Sequence, residues 1–254
     1  MTSQTVLLIG APVDCGKARN GCLMGPDAYR TARLGGALTD LGHTVRDLGN
    51  VWPDTTDVAE DAHLVALPET VGWTRALSRA AEEALGQGTA IFMGGDHALS
   101  LGSVAGMAAH AEELGRPLFV LWLDAHSDFH TPDSTTTGNL HGTPLGYVTG
   151  REGFDAFPAL PATVPVSQVG MIGLRSVDPE ERAAVERRGA LVVVDRVLAS
   201  GVNVPPEALK RVAVAQHSTA ARLEAEVCRL DGATHAVRLV VAQPRARRGT
   251  APVQ

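Results

Sequence analysis

Short, continuously apolar runs separated by longer stretches of helical periodicity constrain this chain more than any other feature. Residues 5–9, 89–93, 117–123, 166–172 and 191–194 each read as a strand, and Val45 starts another. Between them, residues 67–85 place Val71, Leu77, Ala81 and Leu85 on one helical stripe and stop at Gly86 and Gly88. Residues 98–114 form a second helix-like segment. A third opens at Gly25-Pro26-Asp27, where proline suits a first helical turn, and carries Tyr29, Ala32 and Leu41 up to Gly42. Strands apolar on both faces, alternating with helices of ten or more residues, imply a mainly parallel sheet covered on both sides. The expected fold is therefore α/β, a three-layer α-β-α sandwich, with residues 1–254 as a single domain. From about residue 200 the pattern weakens into an atypical Ala/Arg/Val-rich tail, in which residues 212–230 suggest a helix and 236–241 a short strand.

Composition matters mainly for what it excludes. With 22 basic and 28 acidic residues the net charge is −6, which argues against nucleic acid or an anionic membrane as partner. The one basic run, Arg245-Ala246-Arg247-Arg248, reads as a solvated tail. Cys15, Cys22 and Cys228 lack framework spacing, so no disulfide scaffold is expected. The first apolar run is too short for a signal segment or a membrane span, and a cytoplasmic location is expected.

Two strand ends carry the chemistry. The run 117–123 ends in Asp124, His126 and Asp128 at alternate positions, which would share one side if the strand continued through them. The run 89–93 ends in Gly94-Gly95-Asp96-His97, where glycines allow a sharp turn and Asp96 could cap the following helix. The C-terminal edge of a parallel sheet is where ligands bind. Crowded carboxylates repel, and a divalent cation resolves the repulsion. Imidazole and carboxylate without thiolate suit Mn, Fe, Zn, Co or Ni, and a bridging carboxylate would allow two ions. His43, His63, His110, His217 and His235 stand apart and read as surface or satisfied histidines.

These motifs, Gly-Gly-Asp-His and Asp-Ala-His-Ser-Asp-Phe-His-Thr-Pro-Asp-Ser-Thr-Thr-Thr-Gly-Asn-Leu-His-Gly, resemble the signatures of the ureohydrolase superfamily, and within it the arginases. Ile9-Gly-Ala-Pro12, Gly21-Cys22, Met24-Gly25-Pro26 and Ile172-Gly-Leu-Arg-Ser-Val-Asp178-Pro-Glu-Glu181 add to the likeness, which runs from about residue 5 to about 200. The resemblance implies hydrolysis of L-arginine to L-ornithine and urea by a dimanganese-activated hydroxide, with two Mn²⁺ per subunit. It makes His97, Asp124, His126 and Asp128 the metal ligands, with Asp124 bridging, and makes His141 the proton shuttle beside Asp128. Thr135, Thr137 and Asn139 would hold the substrate α-carboxylate near His130. Asp178 and Glu181 would read its α-amino group, although the residues alone also support Asp178 starting a helix with Glu181 as its capping-box partner. The resemblance further implies a homo-oligomer, a trimer or hexamer.

The likeness also breaks. His130 stands where arginases usually have Asn, and Thr137 where they have Ser. The family's later Ser-x-Asp-x-Asp-x-x-Asp-Pro segment, with two further metal-ligand aspartates, has no counterpart after Asp195, and neither has its guanidinium-binding Glu. Four of the usual six ligands are found. A truncated or frameshifted product, an internal deletion, and a catalytically inactive relative kept for binding each fit that loss. Among enzymes the alternative is a ureohydrolase for a different guanidino acid.

Overall fold

The computed structural model describes residues 3–172, 174–188 and 191–194. The strands are β1 (Thr5–Ala11), β2 (Thr44–Asn50), β3 (Thr89–Gly94), β4 (Val120–Leu123), β5 (Val169–Ile172) and β6 (Leu191–Val194). The helices are α1 (Gly25–Thr31), α2 (Leu34–Asp40), α3 (Leu67–Leu85), α4 (Leu99–Glu113), α5 (Pro144–Val148) and α6 (Pro179–Arg188). All strand pairs are parallel, as the apolar runs imply. They fall into two three-stranded sheets, ordered β2-β1-β3 and β4-β5-β6.

The first sheet shows the three layers through side-chain alternation. Leu7 and Ile9 of β1 join Ala90 and Phe92 of β3 on one face, against Ala84 and Leu85 of α3. Val6, Leu8, Ile91 and Met93 face the other way, against Tyr29, Leu34 and Leu38 of α1 and α2. Helix α3 then packs on α4, and the main core runs from there through Val120 and Trp122 of β4 to Val169 and Met171 of β5. Glycine makes the α3–α4 contact close: a Cβ on Gly102 would lie 2.4 Å from the Thr74 carbonyl oxygen.

Three sequence expectations change. The helix foreseen from Gly25 to Gly42 is two helices, broken at Arg33, which takes the left-handed conformation (φ 61°). Strand β4 is not covered on both faces by the described residues. Val120 and Trp122 are buried, whereas Leu121 and Leu123 are each 43% exposed. The apolar run 117–123 thus narrows to a four-residue strand with one face covered by the described residues. The strand foreseen over 166–172 starts at Val169, after a turn of 3-10 helix at Val166–Gln168. The features expected at 212–230 and 236–241 lie outside the described residues. Among the described residues, no helix is long and apolar enough to cross a membrane.

Candidate active site

A cavity of about 480 Å³ opens where β3 and β4 end. It is lined by His97, Asp124, His126, Asp128, His130, Thr135, Thr137, Asn139, His141, Asp178 and Glu181, together with Lys17, Cys22 and Asp96. Every site residue expected from the sequence therefore faces one space.

His97 reaches it through the turn after β3. Gly95 has to be glycine there, because a Cβ would lie 2.1 Å from the Val13 carbonyl oxygen. Asp96 is buried and locks the turn by accepting the amides of Ala98 and Gly16, each at 2.9 Å. Burial pushes the Asp96 carboxyl up, against the pull of those amides and of Lys17. The His97 ring stacks on Trp122, with centroids 4.5 Å apart, so the core holds its plane.

Strand β4 ends at Leu123, so Asp124, His126 and Asp128 are not arranged by strand alternation. Asp124 instead accepts the amide of His126 at 2.9 Å, a local turn, and Asp128 takes a left-handed backbone (φ 47°). His97 Nδ1 lies 2.6 Å from Asp128 Oδ2 and 3.4 Å from Asp124 Oδ2. The other Asp124 oxygen lies 3.2 Å from His126 Nδ1. Asp124 thus sits between two imidazoles with one oxygen toward each. His126 remains at the rim, its side chain 57% exposed.

Three atoms able to ligate a metal, from His97, Asp124 and Asp128, lie within 4.8 Å of one another. Despite the short approach of His97 Nδ1, Asp128 Oδ2 is buried without a hydrogen-bond partner. An acceptor oxygen left over in a buried cluster of imidazole and carboxylate fits a cation held by His97, Asp124 and Asp128 together. Electrostatics agree. Burial alone would lower the His97 pKa, but Asp128 and then Asp124 hold it above the ordinary histidine value. Burial raises Asp124, and its bonds to the His126 ring and amide outweigh that and bring it below the usual carboxylate range. The bond to Asp124 likewise raises His126. A divalent cation would replace these imidazole protons.

The loop 130–142 forms a second wall. Thr135 Oγ1 and Thr137 Oγ1 are 3.4 Å apart, the Asn139 amide donates to Thr137 Oγ1, and Asn139 Oδ1 accepts the Ala18 amide. His63, which the sequence left as an isolated histidine, sits with Nε2 2.6 Å from the Thr135 carbonyl oxygen and so bears on this wall. His141 hangs from the Gly16 carbonyl through its amide, and burial lowers its pKa against the pull of Asp96 and Asp128.

At the far wall Asp178 and Glu181 form the expected capping box. The Glu181 amide donates to Asp178 Oδ1 at 2.9 Å, and the Asp178 amide reaches Glu181 Oε2 at 3.4 Å. His130 Nε2 lies 2.8 Å from Asp178 Oδ2, and its Nδ1 lies 3.0 Å from Ser134 Oγ. Burial works to raise Asp178, and the Glu181 amide and His130 together lower it.

Lys17 was not foreseen. Its Nζ lies 2.7 Å from Asp14 and 3.8 Å from Asp96. No spacing rule marks a lone lysine in a loop; only the fold brings it beside Asp96.

The chain is similar to known proteins over most of its length. The family model described as "Arginase family" matches residues 4–219. An arginase of Brucella melitensis is 47% identical over 194 residues, covering 75% of this chain and 63% of that protein. An arginase of Agrobacterium fabrum is 48% identical over 209 residues, covering 81% and 64%. The crystal structure of a Bacillus subtilis arginase superposes with a TM-score of 0.63 at 33% identity, over 74% of this chain and 63% of that one. The chain spans just under two thirds of the length of these relatives. With the family model matching most of its length, and with its motif residues gathered around one cavity, the chain belongs to the arginase family.

Proposed function

We propose that this chain acts as an arginase-type amidino hydrolase, cleaving L-arginine to L-ornithine and urea at a manganese centre held by His97, Asp124, His126 and Asp128. The observation that carries this reading is the convergence of His97 Nδ1, Asp124 Oδ2 and Asp128 Oδ2 beside a wall of hydroxyls and amides in one cavity. The names of the relatives point the same way. Two divalent ions, when bound, would supply Lewis acidity and make water a nucleophile near neutral pH.

The chain's own residues do the rest. Asp124, with one oxygen toward His97 and the other toward His126, would help those histidines and Asp128 hold the metal. Thr135, Thr137 and Asn139 present hydroxyl and amide groups suited to a carboxylate. Asp178 offers a carboxylate oxygen at the opposite wall for an ammonium group. His141, whose pKa burial lowers, stands ready to take up a proton from the reacting water and pass it to the leaving amine. We read the chain as one ureohydrolase-like unit, cytoplasmic and homo-oligomeric, trimeric or hexameric, with a small-molecule substrate.

A second reading has its own support. His130 occupies Asp178 Oδ2, so the pocket's ammonium reader already has an internal donor. That favours a guanidino acid without an α-amino group. Urea release with added Mn²⁺, from L-arginine, agmatine and 4-guanidinobutanoate in parallel, tests both readings beside the manganese content per chain. Turnover of L-arginine with two Mn²⁺ per chain supports the first. Preference for 4-guanidinobutanoate supports the second. A folded protein with neither metal nor urea release would mark a binding protein.

A further inference from the structure

Asp128 carries its ligand oxygen on a left-handed backbone (φ 47°), a conformation a non-glycine residue holds only when its surroundings impose it. The imposing groups can be identified. Ser127 and Phe129, on either side, are both fully buried. Ser127 Oγ donates to Glu181 Oε1 at 2.6 Å, and the Phe129 amide donates to the same oxygen at 3.2 Å. The carbonyl between them, that of Asp128, accepts the amides of Leu145 and Gly146 at the start of α5. Gly146 permits that approach, since a Cβ there would lie 2.1 Å from the His130 carbonyl oxygen. Glu181 itself is only 6% exposed, and its second oxygen faces the Asp178 amide in the capping box. The first turn of α6 therefore fixes the Glu181 side chain, and Glu181 spans the turn around Asp128.

We propose that Glu181 is a positioning residue for the metal centre: its carboxylate clamps residues 127–129 so that Asp128 points at His97. This rests on the proposed metal centre and assigns Glu181 a task apart from reading the substrate. The two tasks separate by chemistry. A clamp needs one acceptor oxygen, which glutamine keeps. A reader of an ammonium group needs a carboxylate and has no bearing on metal affinity.

The test is Mn²⁺ affinity by calorimetry on the full chain, with hydrogen exchange of the Phe129 amide and thermal unfolding of the same samples. Glu181→Ala is expected to weaken Mn²⁺ about 10–100-fold and to speed Phe129 exchange by about tenfold or more. Glu181→Gln is expected to stay within about threefold of the parent in both. Asp178→Ala removes only the carboxylate that caps the Glu181 amide, keeps the backbone amide that faces Glu181 Oε2, and leaves residues 127–129 untouched, so its Mn²⁺ affinity is expected to hold within about threefold. If Glu181→Ala does not fold, Ser127→Ala deletes one of the two bonds and leaves α6 intact, with an expected loss of about three- to tenfold. Unchanged affinity in Glu181→Ala (or, failing that variant, in Ser127→Ala), equal damage in Glu181→Gln, or equal damage in Asp178→Ala would overturn the clamp while leaving the metal centre standing. No Mn²⁺ binding by the parent chain would overturn the metal centre, and the clamp's role with it.

Discussion

His97 Nδ1 and Asp128 Oδ2 approach to 2.6 Å although they follow strands of different sheets. The contact joins the end of β3 to the turn after β4. It places an imidazole and a carboxylate, both buried, in the lining of the cavity.

Asp128→Ala is expected to abolish manganese binding. It removes one of three converging ligand atoms and leaves His97 Nδ1 without its nearest carboxylate. Metal content after dialysis against Mn²⁺ checks this. Unaltered stoichiometry would mean that Asp128 is not a ligand.

The acid limb of stability is expected to depend on Asp14. Burial pushes its carboxyl up, but Lys17 and the amides of Gly21 and Cys22 prevail and hold it below its ordinary value of 3.8. A depressed folded-state pKa means stability present above the unfolded value and lost as pH falls through the folded one. Asp14→Asn is therefore expected to be less stable at neutral pH by about 1–3 kcal/mol. That gap should narrow below about pH 4. Thermal midpoints of both proteins across pH 2–7 measure it, and a gap constant to the acid end would refute the assignment.

Gly138 has φ 70°, and a Cβ there would lie 2.0 Å from the His63 carbonyl oxygen. Gly138→Ala should push residues 135–139 away from the segment 63–65 that braces them through His63 Nε2 and the Val65 amide. The cost is about 1–3 kcal/mol of stability. In the active enzyme the expected signature is a raised KM for L-arginine with manganese stoichiometry unchanged. A parental KM would show that this wall does not hold the substrate.

His130→Asn would free Asp178 Oδ2. Binding of L-arginine relative to its des-amino analogue, 5-guanidinopentanoate, is then expected to improve by about tenfold, the worth of one charge-assisted hydrogen bond. Competition calorimetry reads the ratio. No change would remove the ground for the guanidino-acid reading.

Much of this was legible along the chain. The apolar runs gave β1, β3 and β6 nearly to the residue, and residues 67–85 are helix α3 as their stripe implied. The capping box at Asp178 and Glu181 was readable because it is a local rule linking residues three apart. The break at Arg33 was not. A left-handed residue leaves no periodic mark, and Tyr29, Leu34 and Leu38 keep facing the same sheet on both sides of it.

The sequence by itself determined the parallel α/β plan and which side chains reach the sheet edge, because side-chain type and spacing act locally. What only the tertiary structure decided is how those side chains meet. Strand alternation would have set Asp124, His126 and Asp128 on one face; instead β4 stops and Asp128 turns left-handed. His126 stays at the rim and His97 comes in from the other sheet. The reason is that the turn around Asp128 is held by Glu181 and the amides opening α5, partners remote in the chain that no local pattern can supply.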